Sequence, residues 1–312
     1  MKGAAARGSI VSWNALAALG ELLSNSSRRV LRLRADGRSH LLKQPEWLAP
    51  ATQLDLYLSS ENGRGSSNTA NHPTRLFVEA PSLFKAAPEA FAQLKLWQGN
   101  LNPQDTAVSL WEESLRDAVN GKTQSDLIDR GILGSIANFA GVLDMGFDSI
   151  SLNGGNAPSV EINRSALEIV EKLVVKAPEP RKVIVSGTLD MLQNSRRSFI
   201  LQLKNKRKIR GFYPQSEAAY IASNYAQTVV IDGEAVFRPS GDIASIVASK
   251  IRLAEAGDEI WSRVPIGAPR TLDDLHPKVP VAAGGNAFAR IFGAWPGEES
   301  DEQIEEMLAN LG

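Results

Sequence analysis

The chain has 312 residues, enough for two domains of ordinary size. Its 34 basic and 35 acidic residues leave a formal charge of -1, so no whole-protein field draws it to nucleic acid or to an acidic membrane. It contains no cysteine, which excludes disulfides, thiolate metal sites and a cysteine nucleophile, and is compatible with the expected cytoplasmic location.

The first 23 residues (MKGAAARGSIVSWNALAALGELL) begin basic and turn apolar. Trp13, Asn14, Gly20 and Glu21 interrupt the apolar run, and no small-residue cleavage site follows. The pattern predicts an amphipathic helix over 10–23 rather than a signal peptide. No apolar run is long enough to cross a bilayer, so no membrane contact is expected. Alternation predicts strands at 29–33, 54–58 and 75–79, with a polar Gly- and Ser-rich loop over 59–73. Phe84, Ala87, Phe91, Leu94 and Trp97 fall at helical spacings, and Pro88 either kinks that helix or marks its first turn. Further helices are expected over 107–119, where Trp111 and Leu115 lie four apart, and over 126–143, broken by Gly131, Gly134 and Gly141. A short strand over 147–152 follows. Asn163 then caps a helix that runs to Val175 and stops before Pro178-Glu179-Pro180. The proline pair closes a mixed α+β domain, residues 1–178.

Residues 181–252 read as an OB-like barrel: three extended runs, one short helix, two more extended runs. Val183, Val185 and Gly187 point one way and Ile184 and Ser186 the other; Phe199, Leu201 and Leu203 oppose Gln202 and Lys204. Asp232-Gly233 signals a turn or a bulge, Pro239-Ser240-Gly241 a turn, and 243–251 the closing strand. Residues 253–285 hold prolines and glycines without a sustained period and read as a linker. The expected class is therefore α+β: a mixed domain, a five-stranded barrel, and an extended helical C-terminal tail over 286–312.

Little in the chain points to catalysis, and no cofactor or metal is expected. His40, His72 and His276 are far apart and none has ligand spacing. Gly63-Arg64-Gly65 and Gly154-Gly155 lack the endings of phosphate loops. Asp144 with Asp148, and Asp273 with Asp274, have the character of turn caps. The basic cluster has more to offer. Arg196 and Arg197 lie between the first two barrel strands; Lys204, Lys206, Arg207, Lys208 and Arg210 surround the next hairpin. OB folds bind single strands on these same elements, and Phe212, Tyr213, Tyr220 and Tyr225 are candidate stacking surfaces for DNA or RNA. Solvated hairpin tips, edge protection by Lys and Arg, or an acidic protein partner explain the same charges.

The tail carries the strongest signal. Phe288, Ile291, Phe292 and Trp295 share one helical face, and Pro296-Gly297 ends it. Ser300 to Gln303 has capping-box form, and Ile304, Met307, Leu308 and Leu311 make a second stripe within an acidic helix. A short helix with one apolar face must dock on something to be stable. The run Phe292-Gly293-Ala294-Trp295-Pro296-Gly297-Glu298-Glu299-Ser300-Asp301-Glu302 resembles the tails of bacterial antitoxins encoded beside PIN-domain ribonuclease toxins. The resemblance covers residues 286–312 only. It implies a non-enzymatic protein that neutralises such a toxin. Phe288, Ile291, Phe292, Trp295, Ile304, Met307 and Leu308 would be the anchors, and Arg290 would reach the metal-binding carboxylates.

Overall fold

A computed structural model of the chain describes residues 1–7, 10–40, 46–58, 76–88, 101–153, 158–194, 197–263 and 267. The tail expected over 286–312, Arg196, His72, His276 and most of the helix expected over 83–97 lie outside the described residues.

The longest helix, α1 (Trp13–Asp36), absorbs both the expected 10–23 helix and the strand expected over 29–33. Its buried positions include Leu19, Leu23, Ser26, Ser27, Val30 and Leu31, a stripe of helical period. Val30, Leu31, Arg32 and Leu33 are buried in succession, which no two-faced strand allows. A five-residue window of alternation is too short to separate the two periods, and the longer stripe decides. Gly37 ends the helix in the left-handed conformation (φ 76°), its N–H donating to the Leu33 carbonyl.

Helices α2 (Leu48–Ala51) and α3 (Leu83–Ala86) are single turns. α3 ends before Pro88, with Ala87 outside helical geometry. α4 (Ala107–Val119) begins with a Thr106/Ser109 capping box. The helix expected over 126–143 is two, α5 (Arg130–Ala137) and α6 (Phe139–Asp144), which meet at Asn138 rather than at a glycine. Gly131, Gly134 and Gly141 lie inside these helices, because tertiary burial outweighs a propensity cost of about 1 kcal/mol each. Asn163 accepts a hydrogen bond from the Ala166 N–H and caps α7 (Arg164–Lys176).

These helices surround the first core, where Trp111 and Phe139 stack with centroids 5.6 Å apart. Three small antiparallel pairs line its edge: β1 (Ala6–Arg7) with β2 (Ile10–Val11), β3 (Asp55–Leu58) with β4 (Leu76–Glu79), and β5 (Ile150–Leu152) with β6 (Val160–Ile162). β5 falls within the strand expected over 147–152, whereas β1, β2 and β6 were not expected, since two- and three-residue strands carry no readable period.

The second core fills a closed five-stranded barrel of order β10-β11-β9-β8-β7. Its strands are β7 (Arg181–Gln193), β8 (Ser198–Gln202), β9 (Lys208–Phe212), β10 (Thr228–Phe237) and β11 (Ile243–Leu253). A short helix, α8 (Ala218–Ser223), sits between β9 and β10. β7 pairs with β10 along Arg181–Thr188 and with β8 along Thr188–Gln193, so one strand serves both halves of the barrel. β9 and β11 close it in parallel, Arg210 opposite Ser245 and Phe212 opposite Val247. This arrangement is consistent with the OB-like reading. Asp232-Gly233 proves to be a bulge, where the register with β11 shifts. At Gly211 a side chain would collide with the buried Phe199 ring.

The two cores belong to one compact unit, Met1–Pro269; Arg270–Gly312 forms a second. Within the first unit the Pro178–Pro180 segment runs between two cores. They join where Gly37 meets the barrel: a Cβ there would overlap the Phe212 ring, and Ser245 Oγ donates to the Gly37 carbonyl. Gly37→Ala is therefore expected to cost about 2 kcal/mol or more, from the positive φ and the collision together. In urea denaturation the double variant Gly37→Ala/Phe212→Ala should lose less than the sum of the singles. Strict additivity would show that the ring and the helix end do not press on each other.

Candidate functional site

The β8–β9 hairpin turns at Leu203–Arg207. The Lys206 N–H donates to the Leu203 carbonyl at 2.9 Å, and Lys206 takes a positive φ of 63°. The Arg207 N–H donates to Asn205 Oδ1 at 3.0 Å. This tight tip holds the basic residues apart and supplies most of them with carboxylates. Arg207 meets Asp242 at 2.8 Å, Lys208 meets Asp190 at 2.7 Å, and Lys204 lies 3.8 Å from Glu259. Arg210 lays its guanidinium 5.0 Å from the Phe212 ring centroid. The hairpin is thus a set of surface ion pairs more than an open cationic strip.

Asp242 ties the tip to the rest of the unit. Its carboxylate accepts from Arg207 and, at 3.1 Å, from Gln124 Nε2 of the first core's surface. The Arg207 hydrogen bond, then that of Gln124, hold its carboxyl below the usual aspartate range. The β10–β11 turn around it is joined to the helices twice more. The Ser240 N–H donates to the Thr123 carbonyl at 3.0 Å, and Arg238 Nε reaches Asp126 at 2.7 Å.

A different set of cations gathers at the seam between α1 and the barrel. A cleft of about 600 Å³ there is lined by Arg38, Lys182 and Arg197, with Phe212 and Tyr213 in its wall and Asp36 and Glu234 as its acids. Asp36 is already engaged, 3.0 Å from Arg32. Arg197 has a φ of 49°, and its carbonyl accepts from the Tyr213 N–H at 2.8 Å. Burial pushes the Tyr213 hydroxyl up, with Arg197 opposing. A smaller cleft of about 360 Å³ shares Arg38 and Glu234 and adds Arg29, His40 and Arg130. Arg130 is committed to structure: its Nη1 donates to the Val174 and Ala177 carbonyls at 2.9 and 2.8 Å.

Compared with protein-family models, curated proteins and solved structures, the chain matches none of them.

The expected residues are therefore only partly brought together. Of the basic set, Arg197 faces the seam cleft, while Lys204, Arg207 and Lys208 sit on the paired hairpin. Of the aromatics, Phe212 and Tyr213 are buried wall residues, whereas Tyr220 and Tyr225 expose their rings. Their hydroxyls are held by the barrel: Tyr220 accepts from the Leu253 N–H and Tyr225 donates to the Asp190 carbonyl. Asp144 pairs with Arg164, and both Asp144 and Asp148 are exposed. Among the described residues no three histidines or carboxylates gather as metal ligands. Sequence reasoning missed Arg38 and Lys182, which lie far from the hairpin in the chain and come beside Arg197 only through the fold. No local signal marks them.

Asp242→Asn keeps the shape of the tip and removes its charge. At pH 7 we expect a loss of about 1 kcal/mol, the scale of a surface charge-assisted bond. The folded carboxyl titrates below its unfolded value, so the native advantage is present above the ordinary aspartate range and disappears as pH falls through the folded pKa. Melting curves of the two proteins should accordingly converge in acid; a constant gap down to pH 2 would contradict the ion-pair account.

Proposed function

We propose that the protein is a non-enzymatic, antitoxin-like protein that neutralises a PIN-type ribonuclease through residues 286–312. One observation carries the reading. The sequence of residues 286–312 bears two apolar stripes around Trp295-Pro296-Gly297. The barrel interior is filled by its own residues, among them Val185, Leu189, Phe199, Leu201, Ile231 and Ile246. The folded unit would then present the tail, whose aromatic anchors bury in a groove of the nuclease. Arg290 would approach the carboxylates that hold its Mg²⁺ or Mn²⁺, and the acidic helix would meet the basic rim that otherwise grips RNA.

A second, compatible reading takes the OB-like barrel as a nucleic-acid contact, centred on the seam. Arg38, Lys182 and Arg197 favour it, because they are three cations lining one cleft. The paired hairpin charges would contribute less, since each must first leave its carboxylate.

Co-expression with a PIN-type nuclease encoded beside this chain tests the first reading. The full chain should co-purify with the nuclease and suppress its RNA cleavage. A 1–285 truncation should keep the same melting temperature and do neither. Trp295→Ala should weaken the complex by about 2 kcal/mol or more. Retained inhibition by the truncation would place the contact elsewhere. For the second reading, binding of a single-stranded oligonucleotide should fall steeply with salt. It should be lost on Arg38→Ala/Lys182→Ala/Arg197→Ala and largely kept on Lys206→Ala/Lys208→Ala; the opposite ranking would return the contact to the hairpin.

A further inference from the structure

An apolar hollow lies in the first core, away from the seam. It has a volume of about 540 Å³, within the usual range for small-molecule sites. Leu16, Leu19 and Leu23 of α1 form one wall, Phe77 of β4 another, and the stacked pair Trp111 and Phe139 a third. Protein interiors are packed with few voids larger than a water molecule, so an open hollow of this size is not an ordinary packing fault.

Two independent features point to an occupant. Gly20 lies in the middle of α1 and lines the hollow. Glycine is a poor residue for a helix interior. Nothing at this position requires it sterically: a Cβ would meet only Leu56 Cδ1, at an ordinary 3.8 Å. What the missing side chain preserves is space. Second, the one charged side chain among the lining residues is Lys2. Its backbone is pinned by the Lys2 N–H to the Ser149 carbonyl at 3.0 Å and by the Asp148 N–H to the Lys2 carbonyl at 2.8 Å. Its side chain is exposed. No carboxylate is among the lining residues to neutralise it.

We propose that this hollow binds an acyl carboxylate of medium chain length. The hydrocarbon occupies the space beside Gly20, and the carboxylate meets Lys2. Apolar burial supplies the attraction and the Lys2 ammonium selects the sign of the headgroup.

Calorimetric titration of the full chain tests this, with decanoate and decylamine below their aggregation limits. Decanoate should bind saturably at one site per chain, and decylamine at least tenfold more weakly. Gly20→Leu fills the hollow from a helix position with room for it. That variant should melt no lower than the parent and bind decanoate at least tenfold more weakly. Lys2→Gln should erase the preference for decanoate over decylamine while both still bind. No saturable binding by the parent chain, unchanged affinity in a folded Gly20→Leu variant, or equal affinity for amine and carboxylate would each overturn the assignment.

Discussion

The left-handed end of α1 against the barrel is the contact on which the rest of the folded unit depends. Gly37 turns the chain out of a 24-residue helix and brings its backbone flat onto Phe212. Ser245 Oγ then takes the Gly37 carbonyl, one of the orphan acceptors of the helix end. Phe212 and Ser245 belong to β9 and β11, the two strands whose parallel pairing closes the barrel. The same few atoms therefore end a helix, cover the seam of the barrel and fix one core against the other. The cleft that gathers Arg38, Lys182 and Arg197 follows from this contact, because Arg38 is the residue next after the turn.

Around that fixed point the unit distributes its charge in pairs. Arg207 with Asp242, Lys208 with Asp190, Arg238 with Asp126 and Arg252 with Asp258 cover the outside of the barrel. Hydrogen bonds from Arg252 hold the Asp258 carboxyl down to about 2. Each such pair is worth little in water, but each places an opposite charge beside its partner and so weakens the local field there. This matches the near-zero formal charge of the whole chain. A recognition surface on such a protein must be local: apolar anchors, a short cationic cleft wall, or a hollow with one charge at its edge.

Glycine marks three of the places where backbone or space matters. Gly37 is required by a positive φ and by the ring against it, and Gly211 by the Phe199 ring beneath it. Gly20 is required by neither, which is why its position on the wall of the apolar hollow is informative. The distinction rests on what surrounds each residue, since the residue type is the same in all three.

The barrel was legible in the chain because its strands are long and alternate: Val183 and Val185, Phe199 and Leu201, and Val229 and Ile231 all face the second core. The Asn163 cap, α4 and the Pro239–Gly241 turn were legible for a similar reason, each being local chemistry with a local signature. The strand expected over 29–33 was not, because four consecutive buried residues mean a helix only when a second layer packs on more than one side. Helix breaks expected at three glycines fell at Asn138 instead, because packing of α5 and α6 outweighed propensity. The apolar stripes and the Trp295-Pro296-Gly297 motif of the tail are properties of order along the chain, readable without coordinates. Which cations share a wall, which are matched by carboxylates, and where space is kept open are set by residues from different elements of the chain, such as Arg38 with Arg197 and Arg207 with Asp242. Linear order carries no record of such distances, so only the folded chain decides them.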